Sequence, residues 1–156
     1  MVAQQVEILT KKQIAVIPTL NFPQGIAALL SFNPDSDFQT NVNSMKESIS
    51  LVQTIEVGKA TRSTKLNGFT IKKNHAVAFL NEELLAVNND MIHVTMDILS
   101  RVDLSEAETI IIYYGAGTTK TEAEKLKEII QQQNKSLTVD IVDGGQPIYN
   151  YIISVE

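Results

Sequence analysis

The sequence contains no cysteine and no tryptophan. Without a thiol there is no disulfide framework, no thiolate zinc site and no cysteine nucleophile. Histidine is nearly as scarce: His75 and His93 are the only two, too few for a histidine-rich metal centre. No apolar run approaches the roughly 20 residues that a membrane-spanning helix needs. The opening stretch, MVAQQVEILTKK, has glutamines and Glu7 where a secretory signal needs its apolar core. Basic charge is outweighed, 13 Lys and Arg against 18 Asp and Glu for a net −5, which argues against a general nucleic-acid binder. What remains is 156 residues that are 44% hydrophobic. That is too apolar for a disordered tail and long enough for one compact domain burying roughly 70% of its unfolded surface. A soluble, cytoplasmic single domain over 1–156 is the expectation.

Charge is uneven along the chain. Val57 to Asn81 holds Lys59, Arg62, Lys65, Lys72 and Lys73 with no acid, so this window carries +5 and the remainder −10. Such a segment suits an acidic or anionic partner, or an exposed ribbon whose lysines deter strand-to-strand aggregation.

Periodicity predicts the elements. Val2, Val6 and Leu9 suggest an opening helix, and the branched run Ile14 to Ile17 reads as a short buried strand. Pro23 fits the first turn of an apolar helix through Ile26, Ala27, Leu29 and Leu30. After Asn33-Pro34-Asp35, Ser36 and Gln39 have capping-box spacing ahead of a stripe of Phe38, Val42, Met45, Ile49 and Val52. Short strands are predicted over 54–62, 69–72, 75–80 and 84–87, with Asn67-Gly68 as a hairpin turn. Asn88-Asn89-Asp90 opens a helix buried along Met91, Val94, Ile98 and Val102, leaving His93, Asp97 and Arg101 as a ladder on the other face. The continuous apolar strand 109–114, the capping box Thr119/Glu122, its helix and a strand over 137–142 make a β-α-β unit with parallel pairing. Asp143-Gly144-Gly145 turns into a last strand, 148–155, with Tyr149, Tyr151, Ile153 and Val155 on one face. The fold class is α/β, with mixed α+β the neighbouring reading: a mixed sheet with helices packed on it and a C-terminal antiparallel hairpin. A chain opening on a helix and then a strand is expected to lack the strand before that helix, making Met1 an internal residue.

Three local patterns invite chemistry and are read as structure. Gly115-Ala116-Gly117 sits where a phosphate-cradling loop would lie, but it lacks the third glycine of the dinucleotide pattern and the Gly-Lys-Ser/Thr of the nucleotide loop. Asp35-Ser36-Asp37 precedes a helix whose N-terminus favours acids without any metal. Neither histidine lies near a recognisable nucleophile such as a Gly-x-Ser-x-Gly elbow. Two longer segments are more specific. Ile14 to Leu30 clusters Pro18, Thr19, Asn21, Gln24 and Gly25 at a strand-to-helix passage, where α/β proteins place ligands. In Asp143 to Glu156, Gly144 and Gly145 permit a tight turn and Gln146 and Pro147 fix its exit. The plain alternative for that segment is a sheet-closing hairpin with Tyr149 and Tyr151 as cross-strand aromatics.

These segments resemble the C-terminal domain of the fatty acid kinase A subunit of Gram-positive bacteria, a dihydroxyacetone-kinase-like or DAK-phosphatase-type family. The matching residues are Val16-Ile17-Pro18-Thr19, Pro23-Gln24-Gly25-Ile26-Ala27-Ala28-Leu29, Phe32-Asn33-Pro34, and Ala60-Thr61-Arg62 followed by Thr64. At the other end they are Gly144-Gly145-Gln146-Pro147 with Tyr149, Tyr151 and Ile152-Ile153-Ser154-Val155-Glu156. The resemblance implies that this chain is a fragment of the C-terminal, carrier-interacting domain of a larger kinase serving phospholipid synthesis. It implies no catalysis, cofactor or metal in this chain, with ATP and magnesium held by an N-terminal domain. The family's asparagine-rich loop upstream of the first helix and its Gly-Asp-Gly-Asp-Thr-Gly-Thr-Asn-like motif have no counterpart here.

The implied partners are a DegV-type fatty-acid-binding protein and the other domains of the parent kinase, with a homodimer as a further expectation and neither nucleic acid nor a membrane span. Pro18, Thr19, Gln24, Gly25, Arg62, Gly144, Gly145, Gln146, Pro147, Tyr149 and Tyr151 are the candidate contacts, and Arg62 is suited to an acidic or phosphorylated group. An independent small-molecule-binding or metabolic enzyme domain, and a dimerisation scaffold, are the alternatives.

Overall fold

The computed structural model describes residues 5–6 and 9–156. The helix expected over the first ten residues rests on positions, Val2 among them, that lie outside the described residues. The chain divides into two compact units, one ending at Val52 and the other comprising Gln53–Glu156.

The first unit holds α1 (Phe22–Leu30), which packs on α2 (Phe38–Leu51). Asn21 caps α1, its side chain accepting from the Gln24 N–H at 3.1 Å, and Pro23 falls in the first turn as expected. Asp37, not Ser36, caps α2, accepting from Gln39 N and Thr40 N. A carboxylate accepts both orphan amides at once, which the single Ser36 hydroxyl does not match. From within α2, buried Asn41 accepts from Asn33 N at 2.8 Å and donates to the Asn33 carbonyl, fixing the loop between the helices. Ile14–Ile17 is not a strand. Branched residues favour extended backbone, but a strand also requires a ladder partner, and none of the described strands pairs with this run.

The second unit is built on a six-stranded mixed sheet. Its strands are β1 (Gln53–Lys59), β4 (Ala76–Leu80), β5 (Glu83–Asn88), β6 (Thr109–Tyr114), β7 (Thr138–Asp143) and β8 (Tyr149–Val155), in the order β5-β4-β1-β8-β6-β7. Only β6 and β7 run parallel, joined through α4 (Lys120–Gln133) as the β-α-β reading requires. The strands β2 (Thr64–Leu66) and β3 (Phe69–Ile71) form a separate ribbon turned by Asn67 and Gly68, both at positive φ. Its residues Phe69 and Ile71 pack with Val77 and Leu84 over the β4-β5 end of the sheet.

The other face carries α3 (Met91–Leu99) on β4, β5 and β1, and α4 on β6 and β7. Here Ile55, Val57, Ile110, Ile112, Ile153 and Val155 meet Val94, Ile98, Leu126 and Ile130 in one core. Four of those strand isoleucines are fully buried, each stabilising by about 2 kcal/mol or more.

The C-terminal strands run antiparallel but are not a hairpin, because β6 lies between β7 and β8. The strand β8 is buried from Tyr151 to Val155, and only a place inside the sheet, between β1 and β6, gives it two ladder partners and two covered faces. β1 leaves the sheet at Lys59 rather than Arg62, since Ala60 turns off to bond His75 and Asn74.

Candidate functional site

The Gly144–Tyr151 segment is clasped to the end of β6. Gly144 N and Gly145 N donate to the Tyr114 carbonyl, the Gln146 side chain donates to the Tyr113 carbonyl at 2.8 Å, and Ala116 N donates back to the Gln146 carbonyl. A Cβ at Gly115 would run into the carbonyl oxygens of Tyr149 and Gln146. The glycine loop is thus a strand-to-helix turn shaped by close backbone approach, and Gln146 is its brace. Gly145 sits at φ +59, the left-handed conformation that glycine adopts freely. Pro147 is exposed beside it.

A register shift between Val57 and Gly58 of β1 leaves Asn150 of β8 without a partner across the ladder. Tyr149 and Tyr151 therefore do not share a face. Burial, with the Glu82 charge adding, pushes the Glu56 carboxyl above its usual range, against the opposing influence of the nearby Tyr149 hydroxyl. Burial, then the Glu56 charge, raises Tyr149. Tyr151, only 3% exposed, points instead toward α4, and burial with the Glu122 charge pushes its phenol up to about 12.

The displaced Asn150 organises one corner of a cleft of about 240 Å³. Its carbonyl accepts from Gly115 N at 2.9 Å and from the Thr118 hydroxyl at 3.2 Å, while its side-chain amide donates to Gly117 O and Thr118 Oγ1. Around this corner the cleft gathers Lys59, Asp90, Met91, Glu122, Lys125 and Tyr151. Both acids are engaged in helix caps. Asp90 accepts from His93 N at 2.8 Å and pairs with the His93 ring at 2.9 Å, so His93 turns to its cap and only Asp97–Arg101 of the expected ladder forms. Glu122 completes the Thr119 capping box. Those bonds hold both carboxyls below their usual values, with Lys59 adding to the effect at Glu122.

In the first unit, Thr19 and Gly25 line an apolar groove of about 460 Å³ with Leu20, Phe22 and Leu29. Gln24 accepts from Leu20 N at 2.9 Å, so it shapes the helix entry. Pro18 is exposed beside Thr19. Around the groove, Leu20 is 70% exposed, Leu29 71% and Leu30 79%, with Phe22 and Phe32 more than half exposed. Arg62 is exposed in the bend after β1, and neither it nor the ribbon's Lys65, Lys72 and Lys73 forms an ion pair among the described residues.

A wider concavity of about 810 Å³ follows the outer face of α4. The Lys120–Glu124 and Lys127–Asp140 pairs engage part of its charge, while Glu128 and Lys135 form no ion pair among the described residues. No three acids or histidines come together to hold a metal ion among the described residues, and no described helix is long and apolar enough to cross a membrane.

Sequence reading placed its candidates on the C-terminal loop, the groove and Arg62, and of the cleft's lining residues it named only Tyr151 as a contact. Lys59, Lys125 and Asn150 come from separate stretches, and the one local signal, Gly58 opposite a break in β8 alternation, is visible only once the strands are paired.

The structure defines a class: an open mixed-sheet α/β unit with a polar cleft, in a chain whose other unit presents an apolar helix. Its backbone resembles the Streptococcus pneumoniae fatty acid kinase B3 protein, solved loaded with linoleic acid, at TM-score 0.53 and 14% identity over 78% of this chain and 50% of that one. The chain belongs to the FakA-like C-terminal family (fatty acid kinase A-subunit-like), whose model matches residues 1–156. It is 32% identical to protein YloV of Bacillus subtilis (strain 168) and 28% identical to an uncharacterized protein of Staphylococcus aureus (strain bovine RF122 / ET3-1). Both alignments use the whole of this chain and 28% of the relative's length, so the chain spans little more than a quarter of these curated relatives.

Proposed function

We propose that this chain is the docking part of a fatty acid kinase. It holds a DegV-type fatty-acid carrier so that the acyl carboxylate meets ATP and magnesium bound elsewhere in the whole protein. The observation that carries the reading is the apolar surface of the first unit. Leu20, Phe22, Leu29, Leu30 and Phe32 present large side chains to solvent around one short helix, and contiguous apolar surface of this kind marks protein interaction sites. Family membership supports a partner drawn from fatty acid phosphorylation.

In the second unit, Arg62 and the ribbon lysines give a separate basic surface that steers an acidic partner. Gln146, Gly144 and Gly145 shape the loop beside β6, and the exposed Pro147 and Ile148 next to them are further contacts.

Calorimetric titration of the chain with fatty-acid-loaded carrier tests the reading, with ATP–magnesium titrated separately. Saturable carrier binding, abolished by Leu29→Asp and weakened by Arg62→Ala, supports docking. Carrier binding unchanged in both variants, or absent from a chain that melts cooperatively, refutes it. Nucleotide binding overturns the division of labour.

A further inference from the structure

We infer that the cleft between the N-termini of α3 and α4 is a binding site for a small monocarboxylate with a short alkyl stem.

Three donors face the cleft without a protein partner. Lys59 and Lys125 line it and form no ion pair with a described residue. The Tyr151 side chain is 97% buried, yet its hydroxyl makes no protein hydrogen bond and is not sealed from the cleft. A buried tyrosine normally satisfies its hydroxyl, so an open donor at the bottom of a pocket is aimed at something that enters it. That phenol stays protonated through the physiological range, so it donates to an anion.

Charge selects the ligand. The two lysines are balanced by Asp90 and Glu122, each of which commits one carboxylate oxygen to its helix cap. The wall is thus close to neutral, tipped positive by two helix N-termini of about half a charge each. One negative charge is accommodated there; a phosphate dianion is not. Size and polarity agree. The space equals about eight water volumes, enough for a carboxylate and a few carbons, and Met91 and Ile92 give one apolar side. The site lies wholly within Gln53–Glu156 and is independent of docking at the first unit.

The test is an NMR titration of the ¹⁵N-labelled chain with butyrate, and separately with inorganic phosphate at a pH where it is dianionic. Butyrate should move the amides of Gly117, Thr118 and Asn150 saturably, with phosphate at least about tenfold weaker. Tyr151→Phe deletes one oxygen that no protein group uses, and Lys125→Gln alters an exposed helix position, so both variants keep the fold. Each should weaken butyrate about tenfold, the worth of one hydrogen bond to a charged group. Phosphate binding more tightly than butyrate, no saturable response in the wild type, or unchanged butyrate affinity in both variants overturns the inference.

Discussion

Replacing Gly115 by alanine sets two effects of opposite sign against each other. Its φ is not in the left-handed region, so the backbone tolerates alanine. On chain entropy alone the change would stabilise the fold by about 0.4–1 kcal/mol. The new methyl, however, points at the carbonyl oxygens of Tyr149 and Gln146, with the Gln146 side chain 3.2 Å away. Two of the three obstacles are backbone, and they belong to the segment that Gly115 N and Ala116 N hold in place at 2.9 and 3.0 Å. Relief therefore requires moving the entry of β8, at a cost of about 1–3 kcal/mol for overpacking plus about 1 kcal/mol for each weakened hydrogen bond. The expected net loss is about 2 kcal/mol, or on the order of 10 °C in Tm for a unit of this size. Gly25→Ala is the contrasting case in the first unit: nothing lies within 4 Å of its added methyl inside α1, so it should gain about 0.5–1 kcal/mol, read by helical circular dichroism because that unit has no tyrosine. All four tyrosines lie in Gln53–Glu156 and there is no tryptophan, so tyrosine fluorescence during urea unfolding reports the affected unit directly. A Gly115→Ala protein as stable as the parent would refute the account of the clasp.

Other expectations follow from the same geometry. Ile153→Ala, at a fully buried position between β1 and β6, should cost about 2–5 kcal/mol in urea unfolding. Glu56 has a carboxyl raised in the folded state, so the native protein holds its proton to higher pH than the unfolded chain does. Stability should fall as pH rises from the ordinary glutamate value through the raised one. Glu56→Gln should flatten that slope and raise Tm at neutral pH, measured by scanning calorimetry across pH 4 to 8 as an order-of-magnitude window. Spectrophotometric titration of tyrosinate should show one group ionising near 12, absent in Tyr151→Phe. Stability should decline as pH climbs from the ordinary tyrosine value toward it.

Local chemistry was legible in the sequence where one stretch contains its own answer. The Thr119/Glu122 capping box, the Asn67-Gly68 turn and the parallel β-α-β unit all depend on residues near one another. Ile14–Ile17 failed because branched residues specify extended backbone but not a neighbour to pair with. Ser36 lost the cap to Asp37 by one residue, a choice between two competent side chains settled by which accepts two amides. The hairpin reading of the C-terminus failed for a deeper reason: β8 selects partners far away in sequence, and pattern reports burial without naming the neighbours. The cleft followed from that choice, since the bulge freeing Asn150 exists only against β1.

The place of β8 also orders events during synthesis. The strands β1, β4 and β5 can assemble as a meander, and β6, α4 and β7 as a crossover, while the chain is still being made. Each half ends on an open edge, at β1 and at β6, until the last strand arrives to close both. Gln53 waits for Val155, a contact spanning about a hundred residues. Until β8 is seated the chain holds two half-sheets with open edges, so a variant that delays its insertion should aggregate more during refolding.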